Sequence, residues 1–129
     1  MGMEQRVHFG AAGCPAWAAI AELLARSNFP VQIRMIDGEL ALPDEVPPVD
    51  WGELRIGTPG GMITVRRTGE GVELVIWGNA DPAMRLAWNA LTLAFAQCSL
   101  GSVLTAEGML SAEEYRRRES LPPGLLADR

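Results

Sequence analysis

The stretch from Asp81 to Cys98 constrains the fold more than any other part of this 129-residue chain. Its apolar residues recur at intervals of three and four, which predicts a helix. Asp81 is a suitable N-cap, Pro82 suits the first helical position, and Gly101 is expected to take the left-handed conformation after the helix. Most surface helices have one apolar stripe, whereas this helix has only one narrow polar stripe. A helix of this kind has to be covered on more than one side.

At about 100° per residue, the side chains of this helix fall into four stripes. The polar stripe contains Asp81, Arg85, Asn89 and Thr92. The larger apolar stripe contains Met84, Trp88, Leu91 and Phe95. The alanine stripe, which lets another backbone approach closely, contains Ala83, Ala87, Ala90 and Ala94. The second apolar stripe consists of Leu86 and Leu93, which we expect to be covered either by helix 15–27 or by a second chain.

The remaining patterns predict an α+β fold. A helix is expected from Pro15 to about Ser27, and a short final helix from Ser111, with Glu114 completing a capping box. Alternating residues predict strands at 31–35, 39–42, 52–57, 62–67 and 72–77, with a short edge strand at 4–9. Short turns between strands favour an antiparallel meander of about five strands, with the N-terminal helix and the long C-terminal helix on one face. Residues 1–120 are predicted to form a single domain, and residues 121–129 an extended or loose tail.

Composition limits the classes of partner and site. The net charge is −5 and the sequence pI is about 4.8, which opposes binding to nucleic acid or to an anionic membrane. No apolar run reaches membrane-spanning length. Cys14 and Cys98 are too few for a zinc framework and match no redox motif, so we expect reduced thiols in a cytosolic protein. The sequence predicts no metal site and no cofactor.

Cys14 lies near the start of the first predicted helix, where the pKa of a thiol is expected to fall. His8 is the only histidine, and a Cys–His nucleophile pair is one interpretation. The favoured interpretation is that Cys14 is a small buried residue and that His8 occupies an edge position.

The predicted sheet has a second face that combines arginine with tryptophan. When Leu54 and Ile76 face the core, the opposite face carries Arg34, Arg55, Arg66 and Trp77. Arginine beside tryptophan is typical of a binding patch, suited to an anionic ligand, a peptide or a second subunit. The alternative interpretation is a set of cross-strand ion pairs with Glu53 and Glu73.

These observations favour a small cytosolic protein-interaction or accessory module without catalytic activity, working as a homodimer or with another protein. The alternative is a small-molecule-binding domain, with the ligand between sheet and helices or on the arginine-bearing face. An enzyme that uses Cys14 is a third, weaker interpretation.

Overall fold

The computed structural model of the protein describes residues 2–77 and 81–126. Within these residues an antiparallel sheet of eight strands packs against helices. The strands are β1 Gly2–His8, β2 Gln32–Ile36, β3 Glu39–Leu40, β4 Glu53–Thr58, β5 Gly61–Arg67, β6 Gly71–Trp77, β7 Ser102–Thr105 and β8 Gly108–Ser111. The helices are α1 Trp17–Arg26, α2 Pro82–Ser99, α3 Ala112–Arg118 and α4 Pro123–Leu126. The α+β class and the antiparallel sheet are therefore confirmed.

The sheet has eight strands rather than about five, in the order β3-β2-β4-β5-β6-β1-β7-β8. The predicted meander is present only from β4 to β6, because β3 lies at the edge outside β2 and β4 pairs with β2 instead of β3. In addition, β1 lies inside the sheet between β6 and β7 and is not an edge strand. Its inward positions include the polar Gln5 beside the buried Val7, which obscures the alternation of a buried strand. The strands β7 and β8 were not predicted, because four residues each are too few for a periodic pattern.

The central part of α2 is surrounded within this chain. Every residue from Ala87 to Ala96 is buried, including the polar Asn89 and Thr92. The sheet, α1 and α3 all pack against this helix. The alanine stripe receives a backbone at its N-terminal end, because a Cβ at Gly60 would lie only 2.2 Å from the carbonyl oxygen of Ala83. The turn between β4 and β5 therefore needs glycine where it meets α2.

The ends of the helices follow the sequence signals closely but not completely. The Asp81 carboxylate accepts a hydrogen bond from the Met84 amide at 2.8 Å, as expected of an N-cap. The capping box of Ser111 and Glu114 is present. The left-handed residue after α2 is Leu100, with φ of 56°, instead of Gly101. The first helix begins at Trp17, two residues later than predicted.

The predicted loose tail is wrong for residues 121–126. Leu121 and Leu125 are both 4% exposed and belong to the main core. A Cβ at Gly124 would lie 2.0 Å from the carbonyl oxygen of Ser27, so α4 approaches the end of α1 at backbone distance. The prolines that suggested an open tail instead lead the chain into a short helix. No helix in the described ranges is both long and apolar enough to cross a membrane.

Candidate functional site

The face of the sheet turned away from α2 carries an ordered array of side chains. We call its central part, on β4, β5, β6 and β1, the outer patch. Its members are Glu4, Arg6, Glu53, Arg55, Met62, Thr64, Arg66, Glu73, Val75 and Trp77. The strand register aligns them in rows that run across the sheet.

The first row alternates in charge. Glu53 lies opposite Arg66, Arg66 opposite Glu73, and Glu73 opposite Arg6. The Nε of Arg66 lies 3.1 Å from a carboxylate oxygen of Glu53, and Arg6 lies 3.6 Å from Glu73. Arg6 also contacts Glu4 at 3.0 Å. The cross-strand ion pairs expected at Glu53 and Glu73 are present, although the partner of Glu73 is Arg6 of β1.

Crowding of two carboxylates changes the acidity of this row. A hydrogen bond between Glu73 and Glu4 raises the pKa of Glu73, and burial raises it further. The charge of Glu4 acts in the same direction, while those of Arg6 and Arg66 lower the pKa. The result is a pKa above that of an ordinary glutamate.

Trp77 is the largest exposed apolar side chain of the patch. It is 58% exposed, and Met62 on the neighbouring strand is 44% exposed. The guanidinium carbon of Arg66 lies 5.9 Å from the centroid of the Trp77 ring, within range of a cation–π interaction. The predicted neighbours Arg66 and Trp77 are therefore together.

The other two predicted arginines lie further towards β2. Arg55 is exposed, lies opposite Thr64, and has no ion pair within the described parts of the chain. Arg34 is exposed at the bulge of β2 and donates a hydrogen bond to Gln32 at 3.0 Å. Arg34 thus lies on the same face but at its margin, two strands from Arg66.

The two leucines of the second apolar stripe differ in exposure. Leu93 is 1% exposed and so is covered by its own chain. Leu86, two helical turns earlier, is half-buried. The first helix packs against α2, and its residues Ile20 and Leu24 are fully buried.

The thiol of Cys14 does not have the environment of an activated nucleophile. Burial raises its pKa, and the nearby charge of Arg67 offsets only part of that effect. Its Sγ lies 3.7 Å from the carbonyl oxygen of Pro15. The Nε2 of His8 lies 3.3 Å from a carboxylate oxygen of Glu70. The expected fall of the Cys14 pKa is therefore wrong, because the effect of burial outweighs that of the nearby positive charge.

A cleft of about 830 Å³ opens where the pairing of β1 with β7 ends, beyond Arg6 and Leu104. Residues of α2 line one side of it, and the β7–β8 turn lines another. Among the lining residues are Gln5, Arg6, Arg85, Trp88, Asn89 and Glu119. The sequence did not predict this cleft, because β7 and β8 were missing from the predicted sheet.

A cluster of buried polar side chains borders the cleft. The Oδ1 of Asn89 accepts from Gln5 at 2.9 Å, and its Nδ2 donates to the carbonyl of Ser120 at 2.9 Å. The hydroxyl of Tyr115 donates to Gln5 and lies 3.1 Å from Asn89 Oδ1. Burial raises the pKa of Tyr115 far above its usual range. These hydrogen bonds join β1, α2 and α3. In the described residues, every buried side-chain oxygen and nitrogen has a hydrogen-bond partner.

Two features of the surface were not predicted from the sequence. Glu4 and Arg6 belong to the outer patch, and their alternation with Met3, Gln5 and Val7 is the signal that would have placed them there. A second feature is the segment after β2, whose aliphatic side chains are strongly exposed. These are Leu40, Leu42, Val46 and Val49.

The described residues contain no group of three or more side chains arranged to hold a metal ion. Comparison of the chain with protein-family models, with curated proteins and with solved structures finds no match in any of the three.

Proposed function

We propose that this protein is a protein-interaction module without catalytic activity, and that the outer patch is its binding surface. The observation that carries the proposal is Trp77, 58% exposed beside Met62 on a sheet face that no described helix covers. Tryptophan and arginine are the side chains that most often dominate the energy of protein interfaces. An exposed tryptophan beside a guanidinium group fits such a role.

The charges of the outer patch favour a protein over an anionic ligand as its partner. The patch carries both signs equally, in the residues Arg6, Arg55, Arg66, Glu4, Glu53 and Glu73. A nucleic acid or a free phosphate needs a surplus of positive charge. A protein surface with mixed charges can match both signs at once and gain specificity from them.

Photo-crosslinking tests this proposal. A photoreactive amino acid replaces Trp77 in cells that naturally produce the chain, and a matched variant carries it at Glu22, an exposed position of α1. We expect covalent adducts with a protein at position 77 and far fewer at position 22. Equal or absent adducts at the two positions would show that the outer patch is not a binding surface.

A second candidate function, binding of a small molecule, is favoured by the cleft beside α2. Its lining combines Trp88 with two arginines and three glutamates, which suits a ligand that carries both charges, such as a free amino acid; the charged residues are Arg6, Arg85, Glu4, Glu107 and Glu119. In the described residues the only hydrogen bond of the Arg85 side chain is to the sulfur of Met3, at 3.8 Å, so its charge is available to a ligand. Thermal shifts with a set of free amino acids test this function. A shift that Arg85→Ala removes and Arg117→Ala keeps would support it, and no shift would contradict it.

We also propose that the protein works in the cytosol. Cys14 and Cys98 are both free, and reduced cysteines are usual in that compartment.

A further inference from the structure

We infer that the occupant of the outer patch is a second copy of this chain, related by a two-fold axis that runs parallel to the strands between β5 and β6. This inference rests on the proposed function, since it names the partner of the same surface. The argument is charge complementarity: the patch matches its own image after a half-turn. A surface that pairs with itself in this way is what an isologous dimer requires.

The first row shows the match most clearly. From β4 to β1 it reads Glu53, Arg66, Glu73, Arg6, so its charges run negative, positive, negative, positive. A half-turn about the line between β5 and β6 reverses the order of the strands and keeps each row at its own level. Glu53 then faces Arg6 of the other copy, and Arg66 faces the other Glu73. Each of the four charges meets the opposite sign.

The second row follows the same rule. It reads Arg55, Thr64, Val75, Glu4 across the same four strands. The half-turn brings Arg55 opposite Glu4 of the second copy, and Thr64 opposite Val75. Arg55 has no ion pair within the described residues, so this contact would give its charge a partner.

The third row is apolar. Continuing the register of Thr64 and Val75 by two residues places Met62 level with Trp77. The half-turn therefore lays Trp77 over Met62 of the second copy, and the reverse contact forms at the same time. A thioether against an indole ring is a favourable contact. The two exposed apolar side chains of the patch thus cover each other.

The size of the patch sets the expected strength of the dimer. Four strands about 4.8 Å apart and three rows about 6.7 Å apart give a footprint of roughly 400 Å² on each copy. A standard interface buries about 800 Å² on each partner, so we expect a weak, reversible dimer.

Charge reversal tests the inference by sedimentation of the purified chain. In Arg66→Glu the new carboxylate faces Glu73 of the other copy, and in Glu73→Arg the new guanidinium faces Arg66, so each variant repels itself. We expect each to dimerise at least about tenfold more weakly than the wild type. In an equal mixture of the two variants, every charge of the first row again faces the opposite charge across the interface. We expect this mixture to form a heterodimer within about threefold of the wild-type affinity. Since an unfolded variant cannot form that heterodimer, the mixture also controls for folding.

Matched controls carry the same charge changes on helices, as Arg117→Glu on α3 and Glu22→Arg on α1. Both are expected to dimerise like the wild type. The inference is overturned if the wild type stays monomeric up to about 500 μM, if the patch variants dimerise as well as the wild type, if their mixture stays monomeric, or if the controls weaken the dimer equally. Crosslinking at position 77 separates this failure from failure of the proposed function. Adducts with a different protein would leave the function standing, whereas no adducts would remove both.

Discussion

The two faces of the sheet hold their polar side chains in different ways. On the inner side, Asn89 of α2 is 8% exposed, accepts a hydrogen bond from Gln5 and donates one to the carbonyl of Ser120, so both ends of its amide have partners within the chain. On the outer face, Arg66 and Glu53 form an ion pair, although their side chains stay 42% and 30% exposed. An enclosed polar group costs about 1–3 kcal/mol when it loses its partner, whereas an exposed ion pair contributes about 0–1 kcal/mol. We therefore expect the inner cluster to contribute more to the stability of the fold than the outer charges do.

The two tryptophans beside β6 give the largest expected contrast. Trp88 is 8% exposed, and its indole donates to the carbonyl of Leu74 at 2.9 Å. We expect Trp88→Ala to lower the free energy of unfolding by about 3–5 kcal/mol, because it leaves a cavity in the core. Trp77→Ala is expected to lower it by less than about 1 kcal/mol. Urea unfolding followed by circular dichroism measures both, and similar losses would contradict the division between the faces.

Removal of one polar group on each face sharpens the comparison. Asn89→Ala deprives Gln5, Tyr115 and Ser120 of a partner, and we expect a loss of about 1–3 kcal/mol. Arg55→Ala on the outer face is expected to change stability by about 0.5 kcal/mol or less. The same unfolding experiment decides. A loss from Arg55→Ala as large as that from Asn89→Ala would show that the outer charges also hold the fold.

Alkaline pH tests the enclosure of Tyr115. Its pKa is raised in the folded chain, so its contribution to stability is complete below the pKa of an unfolded tyrosine, about 10. As the pH rises further, the unfolded chain loses this proton and the folded chain keeps it. We expect the advantage of the wild type over Tyr115→Phe to shrink by about 1.4 kcal/mol per pH unit above pH 10.

The composition favours this measurement. The chain has one tyrosine, so the absorbance of tyrosinate reports on Tyr115 alone. It has no lysine, whose side chain would lose its proton in the same pH range. The contribution of the two thiols to the pH dependence of stability cancels, because the wild type and Tyr115→Phe both contain them. Tyrosinate that appears before the chain unfolds would contradict enclosure of the hydroxyl.

The smallest expected change in stability comes from Glu73→Gln, which applies the same measurement of stability against pH to the outer face. Because its pKa is raised, its contribution to stability is complete below the pKa of an unfolded glutamate, about 4.3, and is lost as the pH rises. Glu73→Gln stays neutral and escapes that loss. At pH 7 we expect this variant to be more stable than the wild type by about 0.2–1 kcal/mol, with the difference vanishing near pH 3. Measurements at low concentration keep the chain monomeric, and a variant less stable at pH 7 would contradict the crowding of Glu73 with Glu4.

The sequence predicted the parts of the fold whose signals are local. The cap at Asp81, the capping box at Ser111 and the alternation of β4 to β6 each arise from neighbours in the chain. The central position of β1 was not predictable in the same way, because it depends on a pairing with β6 some 70 residues away. For the same reason the sequence predicted Glu53, Arg66 and Glu73 on one face but did not place Arg6 beside them. Strand order, which is a property of the whole chain, determines which charges meet.

Asn89 and Thr92 show a related limit. Their helical position gave a polar stripe, and a polar stripe normally faces water. Here Asp81 and Arg85 are exposed, whereas Asn89 and Thr92 are covered. Gln5 and Tyr115 supply the hydrogen bonds of Asn89 that water would otherwise make, and the Thr92 hydroxyl donates to the carbonyl of Trp88 at 2.8 Å. A periodic pattern records the chemistry of the side chains but not the identity of their partners.

The shortness of the two outermost strands has a consequence for assembly. One edge of the sheet is β3, with two residues, and the other is β8, with four. Edges this short offer few free amide and carbonyl groups to a strand from another molecule, and three prolines at 43, 47 and 48 follow the first of them. Growth into fibres by the addition of strand upon strand is therefore disfavoured. The two-fold pairing proposed for the outer patch would stop at a pair, so it adds no open-ended route to aggregation.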